Sequence, residues 1–363
     1  MKIGVHKVAM AAPNDVSELA RLIATGEVVP AEIVALIGKT EGNGGANDFT
    51  RGFATLSYQM LLAKHLDTSL EDVAKRVAFI WSGGTEGVLS PHATIFTRAE
   101  SSGASGEPRL ALGIGATRDI LPEEVGTMTQ VHEVAKAVRH ALKQAAIDDP
   151  SEVHYVQVKG PLLTPASIAD ADRRAAKLVT RDPNGSKAFA RGATALGVAL
   201  ALGEVESGAL SNDVIARDLD LYTSVASTSA GGELKNCEVL LLGNSRKATS
   251  AFRIGHGVLK DAIDAQGVRD TLKSAGLTGE IDDAQAKRIV AVFAKAEASP
   301  TGTIRGRRNT MLSDADINYE RHARAAVGAV IASITTDPAI FLSGGTEHQC
   351  APGAAPIAAI VRV

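Results

Sequence analysis

The chain has 363 residues, of which 45% are hydrophobic and only 4% aromatic, with 35 glycines and a formal net charge of -3. This length is typical of two or three compact units, and the aliphatic, glycine-rich composition favours closely packed α/β layers. No basic run indicates a nucleic-acid partner, and no apolar stretch is long enough to predict a membrane span. A small-molecule role is therefore favoured.

Cysteine usage predicts a reducing environment. Cys237 and Cys350 are the two cysteines, which are too few and too far apart for a disulfide scaffold or a thiolate metal site. The N-terminal MKIGVHKVAM lacks the apolar core of a signal peptide. We therefore predict a cytoplasmic location.

The first predicted elements are a strand in VHKVAM and a helix in DVSELARLIATG, where Val16, Leu19 and Ile23 recur at helical spacing. A strand in EIVALIGK follows and ends at Lys39. Arg51 then opens the alanine- and glycine-rich helix TRGFATLSYQML, and the strand in VAFIWSGGTE carries Ser82. The first third of the chain thus predicts the order strand, helix, Lys-strand, Arg-helix, Ser-strand.

The same order is predicted twice more. The second pass runs through RLALGIGATR, VHEVAKAVRHALKQA and VHYVQVK to Lys159, then through ARGATALGVALAL with Arg191 to TSVASTSAGGE with Ser229. The third pass runs through CEVLLLGNS, DAIDAQGVRDTLKSAG and RIVAVFAK to Lys295. It continues through ARAAVGAVIASI with Arg324 to PAIFLSGGTE with Ser343. Internal repetition at this scale predicts three homologous α/β units, at 1–103, 105–235 and 237–363.

Each of these residues has an ordinary explanation when taken alone. A lysine at a strand end is usually a solvated charge, and Ser-Gly-Gly is usually a turn. Their joint recurrence in one order is not ordinary, and three units packed with threefold pseudo-symmetry would bring all nine side chains to one axis. Such a cationic pocket suits a planar, acidic, carbonyl-rich ligand.

A reactive serine in that pocket needs a base. The chain contains no Ser-x-x-Lys, Gly-x-Ser-x-Gly or His-Glu-x-x-His motif, so a lysine from the same unit remains. To accept a proton near pH 7 its pKa must fall by about three units, which burial and neighbouring cations can supply. Small residues after the serine leave backbone N–H groups for an oxyanion hole.

Long strings along essentially the whole chain resemble the cyanuric acid hydrolase and barbiturase family. They include IGKTEGNG, SGGTEGVLSPH, VQVKGPLLTP, FAKAEASP, MLSDADIN and the closing SGGTEHQ. The resemblance implies a ring-opening amidohydrolase with three α/β repeats around a pseudo-threefold active site. It also implies a homotetramer that acts on a small cyclic imide without nucleic acid, membrane or organic cofactor.

By this resemblance Ser229 is the nucleophile and Lys159 its base. The ring carbonyls of the substrate would be held by Lys39, Arg51, Ser82 and Gly83 of the first unit, Arg191 and Ala230 of the second, and Lys295, Arg324, Ser343 and Gly344 of the third. The middle serine segment departs from the twin SGGTE copies, as expected if one of three equivalent serines reacts. The implied reaction opens cyanuric acid to carboxybiuret, which loses CO2 to give biuret.

The resemblance also implies a structural divalent metal, Mg2+ or Ca2+. Its ligands would come from Glu297, Thr346, Gln349, Cys350, Ala351 and Ala354. An ordinary surface carboxylate is the alternative for Glu297, because Mg2+ and Ca2+ need several oxygen ligands.

Three alternatives to the proposed activity stay open. A barbiturase would open barbituric acid to ureidomalonate. A non-catalytic receptor would bind a cyclic imide in the same pocket. An enzyme could also use Ser82 or Ser343 in place of Ser229.

Overall fold

Three four-stranded sheets with one common strand order organise the computed structural model, which describes residues 1–45 and 47–363. In each sheet the first strand of a unit pairs with its last strand. That last strand pairs with the lysine-bearing strand, which pairs with the serine-bearing strand. The expected α/β fold of three tandem repeat units is confirmed.

The first sheet has the order β1-β4-β2-β3, with helices connecting its strands. The bounds are β1 Lys2–Ala9, α1 Ser17–Ala24, β2 Ile33–Thr40, α2 Thr50–Leu66, α3 Leu70–Arg76, β3 Ala78–Gly83 and β4 His92–Ala99. The strand β2 is buried along nearly all its length, which explains its continuous apolar run.

The second sheet has the order β5-β8-β6-β7. The bounds are β5 Arg109–Asp119, α4 Met128–Gln144, β6 Val153–Pro161, α5 Pro165–Arg173, α6 Ser186–Leu202, β7 Ala226–Gly231 and β8 Asn236–Ser245. The helix α6 lies close against α4: a Cβ at Gly197 would come within 2.8 Å of the Val131 carbonyl oxygen. The small residues predicted for this helix therefore serve close packing.

The third sheet has the order β9-β14-β10-β13. The bounds are β9 Phe252–Leu259, α7 Ala265–Ala275, α8 Asp283–Ala286, β10 Ile289–Ala296, β11 Thr303–Ile304, β12 Arg307–Arg308, α9 Tyr319–Thr335, β13 Phe341–Gly344 and β14 Ala355–Arg362. Asn318 caps α9 by accepting a hydrogen bond from the Glu320 backbone N–H.

One predicted element belongs to a different unit. CEVLLLGNS was expected to open the third unit, but it forms β8, which pairs with β5 and β6 of the second sheet. The third sheet begins instead with β9. On sheet pairing, the junction between the second and third units therefore lies between Ser245 and Phe252 rather than near residue 236. Each unit ends with a fourth strand that the predicted order lacked, and a fully buried apolar run does not reveal which sheet it joins.

The inner faces of the three sheets meet in one central core, and the helices cover the outside. Phe293 lies at the centre of this core, with its ring centroid 4.9 Å from Tyr155, 6.4 Å from Phe96 and 6.2 Å from Phe341. The core therefore contains residues of all three units. Among the described residues no helix combines the length and apolar character of a bilayer span.

Candidate functional site

The three predicted lysines occupy the same place in their units. In each unit a lysine near the end of one strand lies in register with a serine on the neighbouring parallel strand. The pairs are Lys39 with Ser82, Lys159 with Ser229, and Lys295 with Ser343. All three lysines are buried, with at most 3% of the residue exposed.

Each lysine reaches into another unit and donates to the carbonyl oxygen just before that unit's serine. Lys39 Nζ lies 2.7 Å from Leu342 O, Lys159 Nζ 3.1 Å from Trp81 O, and Lys295 Nζ 2.7 Å from Thr228 O. The contacts form a closed cycle from the first unit to the third, the second and back to the first. The three lysine–serine pairs therefore converge around one pseudo-threefold axis.

The arginines form a second cycle, in the opposite sense, through residues that the sequence analysis did not assign. Each contacts the glutamate four positions after a serine in another unit. Arg324 donates to Glu86 at 2.6 and 2.8 Å, Arg191 to Glu347 at 2.6 and 2.7 Å, and Arg51 Nε lies 3.4 Å from Glu233 Oε1. The missed glutamates are the last residues of the repeated strings SGGTE and SAGGE, so their recurrence was the available signal.

The glycines after the serine leave room for these cations. Gly345 has a φ of +80°, and a Cβ built there would lie 2.2 Å from the Arg191 guanidinium carbon. A side chain at this position would displace the arginine, and the left-handed backbone independently favours glycine. The second glycine of SGGTE is therefore required by the arginine–glutamate pair.

The lysines differ in the number of hydrogen-bond acceptors. Lys39 Nζ has three acceptors, Ser82 Oγ, the Gly83 carbonyl and the Leu342 carbonyl. Lys295 Nζ also has three, the carbonyls of Thr228 and Gly344 and the Ser343 hydroxyl oxygen at 3.0 Å.

Lys159 Nζ has two acceptors among the described residues, Trp81 O and Glu233 Oε1, the latter at 2.5 Å. Among the described residues, Lys159 Nζ makes no hydrogen bond to Ser229 Oγ. Because an ammonium group has three hydrogens and no acceptor, two of the lysines are saturated and Lys159 is not.

Burial is the main cause of the lysine pKa shifts. It lowers the pKa of Lys295 to about 7, with Arg191 acting in the same direction. It also lowers the pKa of Lys39 and, against the opposing charge of Glu233, that of Lys159. The neighbouring cations expected from the sequence are present, but burial has the larger effect.

A second carboxyl group accompanies Lys159. Glu238 lies directly opposite Lys159 across the β6–β8 pair, and its Oε2 is buried without a hydrogen-bond partner in the described structure. Burial raises the pKa of Glu238 to about 7. The residue opposite Lys39 is His92. Of the first and second units, the second therefore has a carboxyl group opposite its lysine and the first does not.

A cavity of about 970 Å³ opens beside the arginines. It is lined by Arg191, Arg324 and Glu347 and by segments 43–45, 183–188 and 318–321 from all three units. The three serines are not among its described lining residues, although Ser82 and Ser229 are partly exposed.

The remaining predicted substrate contacts follow the serines in sequence. Gly83, Ala230 and Gly344 each come directly after a serine at the end of its strand. That their backbone N–H groups hold the ring carbonyls of the substrate stays a prediction.

The predicted metal ligands are only partly suited to a cation. Burial and the nearby carboxyl groups of Glu347 and Glu320 raise the pKa of Glu297 to about 7, which a cation would counteract. Gln349 instead uses its side-chain oxygen to accept the Thr228 backbone N–H at 2.8 Å. Burial raises the pKa of Cys350 to about 12, so this thiol is not a thiolate ligand.

Within residues 1–45 and 47–363, no three histidine, cysteine or acidic side chains form a metal-binding group. A cation beside Glu297 would therefore depend on main-chain carbonyl oxygens of the 346–354 segment.

Comparison with known proteins identifies the family of this chain. The family described as amidohydrolase ring-opening protein matches residues 4–362. A cyclic amide hydrolase of Azorhizobium caulinodans is 73% identical, with 100% of both chains covered. A cyanuric acid amidohydrolase of Enterobacter cloacae is 50% identical over 100% of both chains. Barbiturase 1 of a Nocardioides species is 42% identical over 99% of this chain and 97% of its own.

A solved structure described as a cyanuric acid hydrolase superimposes with a TM-score of 0.94 at 50% identity, covering 100% of this chain and 99% of the other. Both the family match and these relatives extend over nearly the whole chain. The chain therefore belongs to the ring-opening amidohydrolase family and is a hydrolase.

Proposed function

We propose that this hydrolase opens the ring of cyanuric acid to carboxybiuret, which then loses CO2 to give biuret. The observation that supports the proposal is the closed cycle of three lysine–carbonyl contacts, in which each lysine is also in register with a serine of its own unit. A flat ring with three equivalent carbonyl groups matches such a centre in any of three orientations. The relatives and the superimposed structure with cyanuric acid in their names support this substrate.

In this proposal Ser229 is the nucleophile and Lys159 its base. The neutral amine of Lys159 accepts the hydroxyl proton as Ser229 Oγ attacks a ring carbonyl carbon. The adjacent C–N bond then breaks, and the ring nitrogen leaves with the proton from Lys159. Water hydrolyses the resulting acyl-enzyme, which releases carboxybiuret and restores the serine hydroxyl.

The unsaturated hydrogen bonding of Lys159 supports this assignment over the rival serines. Lys39 and Lys295 already donate to their serines and to two carbonyl groups each, so these contacts hold both amines in place. Ser343 is also only 5% exposed, whereas Ser229 is more accessible. The other Lys, Arg, Ser and small-residue backbone groups would hold the remaining ring carbonyls.

The second candidate substrate is barbituric acid, which would give ureidomalonate. The 42% identity to Barbiturase 1 favours keeping it. One altered pocket contact changes specificity between two similar rings by roughly 10- to 200-fold, so product analysis with each ring distinguishes the two substrates.

We also propose that a divalent cation, Mg2+ or Ca2+, sits beside Glu297 with carbonyl oxygens of Thr346, Gln349, Cys350, Ala351 and Ala354. These hard cations prefer oxygen ligands. The crowding of Glu297 with Glu320 and Glu347 supports a positive charge at this place. Its role would be to hold the loop after Ser343 in place.

Assembly and location belong to the same proposal. The exposed side chains of Phe53, Leu56 and Met60 lie on one face of α2. Burial of this apolar face would stabilise the expected homotetramer. The two cysteines are free and buried, which agrees with the expected reducing cytoplasm.

The test is product analysis after incubation with cyanuric acid and, separately, barbituric acid, for the wild type and for Ser229→Ala and Ser82→Ala. We expect biuret from cyanuric acid with the wild type, and a loss of turnover of roughly 10⁴-fold or more for Ser229→Ala. Ser82→Ala serves as the matched control and should lose about 10² to 10³, the effect of one carbonyl-binding donor. Ureidomalonate as the main product would favour barbiturase. Binding without any product would favour a receptor. Loss of turnover in Ser82→Ala alone would assign the nucleophile to Ser82.

A further inference from the structure

The three glutamates that follow the serines are equivalent in sequence but not in their contacts. Glu86 and Glu347 each hold an arginine with two short hydrogen bonds, between 2.6 and 2.8 Å. This bidentate geometry is the preferred one for an arginine and a carboxylate. If the three units were fully symmetric, Glu233 would hold Arg51 in the same bidentate way.

Glu233 departs from that arrangement. Its Oε1 lies 2.5 Å from Lys159 Nζ and 3.4 Å from Arg51 Nε, so the carboxylate has turned toward the lysine. Arg51 Nε is buried without a hydrogen-bond partner in the part of the chain described. The arginine thus has a vacant donor where its two counterparts are paired.

The same displacement explains the missing lysine–serine contact. Lys39 and Lys295 hydrogen-bond their own serines at 3.1 and 3.0 Å. Lys159 contacts Glu233 instead, although its register with Ser229 is the same. One carboxylate shift therefore accounts for both departures from the symmetry.

Building on the proposed function, we propose that Glu233 is a positioning residue that alternates between Lys159 and Arg51, and that its move to Arg51 frees Lys159 for Ser229. Both cations already lie near the same carboxylate oxygen. The Glu233 side chain is 35% exposed, against 10% for Glu86 and 18% for Glu347. It is the least confined of the three and has room to turn.

The proton balance of this step is simple. With Glu233 beside it, Lys159 is an ammonium with a counter-ion. When the carboxylate moves to Arg51, the lysine loses that counter-ion and passes one proton to the acidic ring bound beside it as an anion, which leaves a neutral amine and a neutral ring. The amine lone pair that remains accepts the hydroxyl proton of Ser229.

An acidic ring is the ligand that would drive the move. A ligand shifts such an equilibrium only if it favours one of the two states. A planar anion bound next to Lys159 repels the Glu233 carboxylate, and Arg51 offers the nearest vacant donor. Binding of the substrate and preparation of the base are then one event.

Three ionisable groups act on Lys159 from the elements packed around it. They are Glu233 from the loop after β7, Glu238 from β8, and Arg51 from α2. Both carboxylates raise the pKa of the lysine when they are charged, and the arginine lowers it. Only Glu233 contacts the Lys159 amine directly.

The experiment compares Glu233→Gln with the matched variant Glu86→Gln by the pH dependence of kcat/KM, whose acidic limb reports the base in the free enzyme. We expect the limb of Glu233→Gln to move to lower pH by about one to three units, because an opposite charge at this range shifts a pKa by that amount. Glu86→Gln should weaken substrate binding through Arg324 and leave the limb where it is. An unmoved limb in Glu233→Gln, or equal shifts in both variants, overturns the proposal.

A second variant keeps the test independent of one substitution. Arg51→Gln removes the docking partner and a cation, so the limb should move to higher pH and kcat should fall. A shift to lower pH would contradict the proposal. Far-UV circular dichroism verifies that each variant is folded.

Titration of the lysine amines by NMR in the substrate-free protein separates this proposal from the proposed function. A lower Lys159 pKa in Glu233→Gln supports the carboxylate contact even if cyanuric acid is not turned over, and an unchanged pKa refutes it.

Discussion

The second and third units have the same Lys, Ser and strand register, yet their lysines have different surroundings. Lys295 is enclosed by three acceptors, while Lys159 has two, of which one is the Glu233 carboxylate. The third unit therefore contains a lysine held by a complete set of acceptors, and the second contains a lysine that, in our proposal, changes its partner. Equivalent lysines thus differ in their acceptors rather than in their identity or register.

The largest expected effect comes from removing each lysine in turn. Lys159→Met should reduce kcat by roughly 10⁴-fold or more, since the base is lost. Lys295→Met should reduce kcat/KM by about 10² to 10³, as loss of one charge-stabilising donor does. Steady-state kinetics at neutral pH, with thermal unfolding to verify the fold, makes the measurement. Comparable losses in the two variants would erase the distinction between the units.

An intermediate effect concerns stability and the buried carboxyl group that faces Lys159. Burial raises the pKa of Glu238 to about 7 in the folded protein, from a usual value near 4.5. Between these two values the folded state keeps a proton that the unfolded state has lost, so the free energy of unfolding falls as the pH rises. Glu238→Gln should therefore gain about 1 to 3 kcal/mol relative to the wild type between pH 5 and pH 8.

Urea unfolding at pH 5 and pH 8 measures this difference. Glu206→Gln, at an exposed glutamate, is the matched control for the change of charge. If Glu238→Gln differs from the wild type by the same amount at both pH values, the carboxyl group does not ionise in this window.

The smallest expected effect on activity belongs to Glu297. If a cation is held there as a structural element, Glu297→Gln should lower the metal content of the purified protein and its Tm by a few degrees. It should change kcat less than about tenfold, because in this proposal the ion would lie in the third unit, apart from Ser229 and Lys159. Elemental analysis and calorimetry provide the readout. A purified wild-type protein that contains no bound metal would contradict the proposed cation.

Much of the fold could be predicted from the sequence because the repeated pattern is strong. The helical spacing of Val131, Val134 and Val138 corresponds to the buried face of α4, and each lysine-terminated apolar run is a strand. The fourth strand of each sheet was not predicted. Apolar runs such as that of β8 fit any central strand, and only pairing across the chain assigns them to a sheet.

The site was predictable in its residue types but not in its asymmetry. The order of Lys, Arg and Ser in three passes indicated a shared centre, and the structure brings those lysines and serines together. The partners of Arg191 and Arg324 were visible as the glutamates of SGGTE but were given no role. Whether Glu233 turns toward Lys159 or toward Arg51 depends on distances between side chains, which no sequence pattern contains.

The cycle of lysine–carbonyl contacts has a consequence for biosynthesis. One of the three acceptors for Lys39 is the Leu342 carbonyl, which is 303 residues further along the chain. Because a nascent polypeptide emerges from its N-terminus, the early lysine has no complete environment until nearly all of the protein has been made. A truncated product that folds its first two sheets would contain Ser229 and Lys159 but would lack Lys295 and Ser343, so the pseudo-threefold centre is complete only when the third sheet has formed.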